Sequence, residues 1–139
     1  MRILIVEDDP ILALLTTETL QEEGHEVIGP AYDVDQALHL ANENLIDVAF
    51  VDINLDGHEE GIYVARWLLE HHKVYSLFVT GQVAGARIRG YKAIGLLSKP
   101  FKLDDLVNAA LITRSWLAGE ASTIPIPRAL EIFGVRVDE

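Results

Sequence analysis

The run Val48-Ala49-Phe50-Val51-Asp52-Ile53-Asn54 constrains this chain more than any other stretch: four apolar residues, too few for a helix, leading into one carboxylate. Such a run reads as a central strand covered on both faces. Three further runs share the design. Ile3-Leu4-Ile5-Val6 leads into Glu7-Asp8-Asp9, Leu77-Phe78-Val79 into Thr80-Gly81, and Ile94-Gly95-Leu96-Leu97 into Ser98-Lys99-Pro100. In an open α/β sheet, ligands bind just outside the carboxyl ends of the strands. Converging there, the four ends would supply carboxylates, a hydroxyl and one ammonium.

The segments between these runs carry helical signals. Asp9-Pro10 offers an N-cap followed by a proline at the first helical position, and Ile11, Leu14, Leu15 and Leu20 form the expected apolar face of a helix ending at Gly24. Glu26 to Gly29 predicts a short strand near an edge. Asp33 to Asn44 predicts a helix with Val34, Ala37, Leu38 and Ala41 on one face; Asp56-Gly57 predicts a turn. Gly61 to His72 predicts a third helix burying Ile62, Ala65, Leu68 and Leu69, and Tyr75 to Val79 the fourth strand. Gly85 and Gly90 each disfavour a helix by about 1 kcal/mol relative to alanine, so Gln82 to Lys92 predicts only a short or loosely held one. Leu103 to Trp116 predicts the last helix, with Leu106, Val107, Ala110 and Leu111 inward.

Five strand-then-helix repeats imply parallel pairing with right-handed crossovers, hence an α/β, doubly wound, five-stranded parallel sheet over residues 1–117. Residues 118–139 predict a short C-terminal extension without an output domain. Ser122 to Pro127 is extended by its prolines, and Arg128 to Phe133 is expected to form one or two helical turns.

Composition narrows the function classes. A chain of 139 residues, 50% hydrophobic and 24% charged, builds one domain with its own core. The lack of cysteine removes disulfides, zinc-thiolate sites and cysteine nucleophiles. A net charge of -11 argues against nonspecific affinity for nucleic acid or anionic lipid, and leaves cationic protein partners and metal ions open. Acids at Glu7 to Asp9 interrupt the apolar start, which is unlike a signal peptide, and no run approaches the ~20 apolar residues of a membrane span. A soluble, cytoplasmic protein is the expectation.

Glu7, Asp8 and Asp52 at neighbouring strand ends would repel one another, raising at least one pKa with coupled titrations, and a hard divalent cation would relieve that repulsion. Oxygen ligands with room for waters suit Mg²⁺. A site with open positions admits a phosphoryl oxygen, which a neighbouring carboxylate can attack at phosphorus. Lys99 and Thr80 could then pair with the remaining phosphoryl oxygens, and the Lys99-Pro100 bond, open to the cis form, would fix how the lysine projects. Asp9 alone is most simply a helix cap. Thr80 alone is an ordinary strand residue, and His58, His71 and His72 read as solvated surface; Trp67 and Trp116 read as packing residues.

Together these residues resemble the receiver domains of two-component response regulators, with the flavodoxin-like fold. The resemblance spans Met1 to about Leu117 and rests on Val6-Glu7-Asp8-Asp9, Asp52, Val79-Thr80-Gly81, Lys99-Pro100-Phe101 and the alternation between them. A weaker likeness of Leu77-Phe78-Val79-Thr80-Gly81 is to a threonine-glycine motif of some stand-alone, single-domain proteobacterial receivers. The resemblance implies that Asp52 accepts a phosphoryl group from a histidine kinase or histidine phosphotransfer protein. It implies that Glu7 and Asp8 hold Mg²⁺, with Asn54 adding its backbone carbonyl, and that Thr80 and Lys99 sense the phosphoryl group. It also implies a downstream protein target, no direct nucleic acid or membrane contact, a homodimer left open, and no catalysis beyond the chain's own phosphorylation and dephosphorylation. The family often has an aromatic residue three positions before the lysine, where this chain has Leu96, so the segment after Thr80 is left as the moving part. The alternatives are a phosphorelay shuttle or phosphate sink, and a non-phosphorylated interaction module of the same fold. A flavin site is disfavoured because no phosphate-binding loop rich in serine or threonine follows the first strand.

Overall fold

The computed structural model describes residues 1–89 and 92–134. Strands β1 (Arg2–Val6), β2 (Glu26–Ala31), β3 (Val48–Val51), β4 (Tyr75–Thr80) and β5 (Gly95–Ser98) alternate with helices α1 (Pro10–Glu22), α2 (Val34–Glu43), α3 (Glu60–His72), α4 (Val83–Arg89) and α5 (Leu103–Ala118). A further strand, β6 (Leu130–Ile132), follows α5. The sheet order is β2-β1-β3-β4-β5-β6, parallel throughout except for the antiparallel β5–β6 pair. This is the flavodoxin-like architecture with one strand added.

Alternation along the strands divides the core between the two faces of the sheet. Leu4, Val6, Ala49, Val51, Phe78 and Leu96 pack under α2 and α3, against Ala37, Ala41, Ile62, Val64 and Leu68. Ile3, Ile5, Phe50, Leu77, Val79 and Leu97 pack on the opposite face, against Leu20 of α1 and Leu106, Ala109, Ala110 and Ile112 of α5. Asp9 caps α1 as expected, its Oδ1 accepting from Ile11 N at 3.0 Å and Leu12 N at 3.3 Å, with Pro10 at the first helical position. Trp67 and Trp116 both pack against the core, Trp116 edge-on to Tyr75 at 5.1 Å between ring centroids. Among the described residues, no helix is long and apolar enough to cross a membrane.

Two expectations fail, and the expected inward residues Ala65 and Leu69 of α3 and Val107 and Leu111 of α5 are only half-buried. The face of α1 that goes inward is Ala13, Thr16, Thr19 and Leu20, while Ile11, Leu14 and Leu15 are 79%, 58% and 41% exposed. Small residues let the helix lie close to its neighbours. The Thr19 hydroxyl is satisfied by the Leu15 carbonyl at 2.8 Å, so burying it leaves no unmet donor. The second failure is at the C-terminus, where Arg128 to Phe133 forms no helical turns and Leu130–Ile132 is instead a strand. β5 would otherwise be an open edge with unpaired backbone groups, and β6 satisfies them. The segment after Thr80 folds as expected into a seven-residue helix, α4, which ends before Gly90; Gly90 itself lies outside the described residues.

Gly61 fixes α3 against the end of β3. Its N–H donates to the Ile53 carbonyl at 2.8 Å, and a Cβ built there would overlap the Asp52 carbonyl oxygen and stand 2.5 Å from Ile53 Cα. Because the obstruction is backbone, it has little room to yield. Gly61→Ala is expected to lower stability by about 2–3 kcal/mol through overpacking, read as a shift of the urea midpoint at unchanged slope. A shift below about 0.5 kcal/mol, the scale of a surface change, would show that the contact is not tight.

Candidate functional site

β1, β3, β4 and β5 all end at one edge of the sheet, and each delivers the residue that follows its last apolar position. Glu7 and Asp8 follow β1, and Asp52 follows β3, its N–H donating to the Val6 carbonyl at 2.9 Å. Thr80 closes β4, and Lys99 comes just after β5, its N–H bound to the Thr80 carbonyl at 3.0 Å. These main-chain bonds hold the four strand ends in register. The Lys99–Pro100 peptide is cis, one of the two forms the sequence left open.

The side chains meet as the sequence predicts. One carboxylate oxygen from each of Glu7, Asp8 and Asp52 lies within 4.8 Å of the others. Lys99 Nζ sits 2.7 Å from Glu7 Oε1 and 2.8 Å from Asp52 Oδ2. Asp52 Oδ1 accepts from Asn54 N at 3.1 Å, which aims the carboxylate and places Asn54 on the same loop. Asp8 Oδ2 accepts from Asp56 N at 2.7 Å. Thr80 is fully buried; its Oγ1 accepts from Gln82 N at 3.1 Å, so the hydroxyl proton remains for donation outward.

Burial governs the electrostatics. The Glu7 side chain is 6% exposed, and its pKa is pushed up to about 7, first because burial penalises the charged form. Lys99 opposes that rise through a hydrogen bond and its charge, and repulsion from Asp52 adds a smaller push upward. A raised carboxylate was expected from repulsion, whereas desolvation is the larger cause. For Lys99, burial works against the ammonium, but its bonds to Asp52 and Glu7 outweigh it and hold the group above its usual range. Lys99 thus supplies the positive charge between the two buried carboxylates.

The arrangement joins the side chains of Glu7, Asp8, Asp52 and Lys99, with Asn54 beside them and Thr80 tied to Lys99 through the main chain. His71 and His72 lie elsewhere: His71 Nδ1 donates to the Trp67 carbonyl, and His72 bonds Asn42, while His58 pairs with Leu55 through its backbone. Sequence reasoning passed over two supporting groups. Asp56 was read only as part of a turn, yet its N–H anchors Asp8; Gly61 was read only as a helix start, although it is the close contact under Asp52. The positive φ of Asp56 and Gly57 is the local signal of that turn, but its distant partner is not visible in sequence.

A flavodoxin-like sheet with an aspartate at the end of its central strand, acids after the first strand and a lysine after the fifth defines the receiver class of signalling proteins. The family model for the response regulator receiver domain matches residues 3–111. The chain belongs to that family, the receivers of two-component systems. The transcriptional regulatory protein PdtaR of Mycobacterium tuberculosis is 30% identical over 132 residues, covering 88% of this chain and 64% of PdtaR. PhoP of Salmonella typhimurium is 29% identical over 131 residues, covering 90% of this chain and 58% of PhoP. This chain therefore spans under two thirds of either relative. Among solved structures, the receiver domain of NtrX from Brucella abortus superposes with a TM-score of 0.69 at 30% identity, covering 78% of this chain and 94% of that one. TrrA of Thermotoga maritima, solved in complex with Mg(2+)-BeF, superposes with a TM-score of 0.70 at 28% identity, covering 79% of this chain and 96% of TrrA.

Proposed function

We propose that Asp52 accepts a phosphoryl group from a phosphohistidine on a histidine kinase or histidine phosphotransfer protein, in the cytoplasm, and that a downstream protein reads the result. The observation that carries this reading is the Lys99 ammonium 2.8 Å from Asp52 Oδ2, in a cluster with Glu7 and Asp8 at the strand ends. In the transfer, an Asp52 carboxylate oxygen bonds to phosphorus as the phosphorus–nitrogen bond breaks, and the bonding pair returns to the imidazole. Lys99 pairs with one equatorial oxygen and Thr80 donates its hydroxyl to another. The all-oxygen donor set of Glu7, Asp8 and Asp52, with the Asn54 backbone carbonyl, fits Mg²⁺. Bound there, Mg²⁺ supplies positive charge against the phosphoryl oxygens. The Mg(2+)-BeF complex of the relative TrrA supports the same ligand chemistry here. The chain catalyses only its own phosphorylation and dephosphorylation.

The test is incubation with acetyl phosphate and Mg²⁺, followed by intact mass. Wild type gains one phosphoryl group and Asp52→Ala gains none. Equal mass gains for the two proteins, whether none or one phosphoryl group, would overturn the assignment.

A phosphodonor must cover the rim of the site, and the exposed Ile11, Leu14 and Leu15 begin two residues beyond Asp9. An apolar surface there suits a protein donor and is irrelevant to a small one. Leu14→Glu is expected to slow transfer from a phosphohistidine protein by roughly tenfold while leaving uptake from acetyl phosphate unchanged. Parallel time courses with the two donors check this; equal slowing with both would refute the docking role.

A shuttle or phosphate sink is the second reading, and Leu96 favours it. That side chain is 2% exposed in the core beside Phe78 and Ala86, with no ring or polar tip to swing between two positions. Phosphorylation without any change in partner affinity would select this reading.

A further inference from the structure

The segment after α5 returns to the sheet and holds the strand that carries Lys99. The Ala129 carbonyl accepts both Ser98 N at 2.8 Å and Ser98 Oγ at 3.2 Å, and Phe133 N donates to the Ile94 carbonyl at 2.9 Å. Between these bonds, Leu97 faces Leu130, Leu96 faces Glu131 and Gly95 faces Ile132. The approach is close enough that a Cβ on Gly95 would overlap the Glu131 carbonyl oxygen. Glu131 also grips α4: its carboxylate accepts from Arg87 Nη2 at 2.7 Å and Arg87 Nε at 3.0 Å. Trp116 of α5 adds a bond from Nε1 to the Gly134 carbonyl at 3.1 Å.

Two short routes therefore join this strap, residues 120–134, to the phosphoacceptor. One runs from Lys99 to its neighbour Ser98 and across to Ala129. The other runs from Thr80 Oγ1 to Gln82 N, through the first turn of α4, where Ala86 N bonds the Gln82 carbonyl, to Arg87 and Glu131. Resting on the phosphoacceptor reading, we propose that the 120–134 strap is a conformational output element, loosened from β5 and α4 when Asp52 carries a phosphoryl group. Thr80 then turns its hydroxyl toward the phosphoryl oxygens and no longer holds Gln82 N in the same position, so α4 shifts and the Arg87–Glu131 fork opens. Lys99, drawn to the new anion, pulls on Ser98 and weakens its bonds to Ala129. The loosened strap uncovers the backbone groups of β5.

Linkage makes the coupling reciprocal: whatever loosens the strap favours the phosphorylated state by the same factor. The test uses the full chain and follows hydrogen exchange at the Ser98 and Phe133 amides by NMR, with and without beryllofluoride and Mg²⁺. Both amides are expected to exchange roughly three- to tenfold faster in the loaded state, the scale of one lost hydrogen bond together with an exposed ion pair. Arg87→Ala is expected to bind beryllofluoride with Mg²⁺ roughly three- to tenfold more tightly than wild type, and an unchanged affinity would count against the strap. If wild type takes up the phosphoryl group but both amides exchange at the unloaded rate, the strap proposal falls and the phosphoacceptor reading stands. If no phosphoryl group is taken up at all, both fall.

Discussion

Replacing Lys99 by alanine is expected to slow phosphoryl uptake from acetyl phosphate by about 10²–10³-fold, the usual scale for removing one preorganised charge from a transition state. The side chain is the described cation in direct contact with Asp52, and its ammonium already sits in hydrogen-bond range of both Glu7 and Asp52. Its loss also leaves two carboxylates, 6% and 7% exposed, without the cation between them. Above pH 7 the expected destabilisation is about 3 kcal/mol, near the lower end for breaking a buried pair, because Glu7 relieves part of the strain by taking a proton. Quench-flow or intact-mass time courses read the rate, and urea unfolding reads the stability. A rate within about twofold of wild type, where full loss of the charge should cost far more, would remove Lys99 from the transfer step.

Stability of the Mg²⁺-free chain is expected to fall as pH rises from about 5 to 8. The sign follows from Glu7, whose carboxyl rises from 4.5 to about 7 on folding, first through burial. Between those values the native state holds more protons than the unfolded chain, so stability is full below the unfolded value and is lost as pH passes through 7. The difference across the window is on the order of 3 kcal/mol. Urea midpoints at half-unit pH steps check it. Glu7→Gln should flatten the curve, as should excess Mg²⁺, since a cation replaces the proton. A wild-type curve that rises with pH over this window would show that another group dominates.

The site was legible because each of its residues lies within two positions of the end of an apolar run short enough to read as a strand. Once Val48 to Val51 is a central parallel strand, Asp52 must emerge at the carboxyl edge, and the same logic carries Glu7, Asp8, Thr80 and Lys99 there. Helix α1 was misread because its apolar residues outnumber those it buries. Ile11, Leu14 and Leu15 have the spacing of an inward face, but Ala13 and Thr16 fit the close approach that leucines would prevent. β6 was misread because Leu130, Glu131 and Ile132 are too few to show a period, and their partner, β5, lies more than thirty residues back in the chain. The cause of the Glu7 shift needs a burial value, and burial belongs to the assembled fold.

The antiparallel closure of β5 by Leu130–Ile132 has a practical result for anyone shortening the chain. Cutting after α5 would bare a flat, apolar border whose amide and carbonyl groups are ready to template a neighbour. Such a shortened form is expected to self-associate in light scattering at concentrations where the full chain does not. The Leu130–Ile132 strand thus acts as a hem, stitched along the β5 side of a cloth that would otherwise fray there into other molecules.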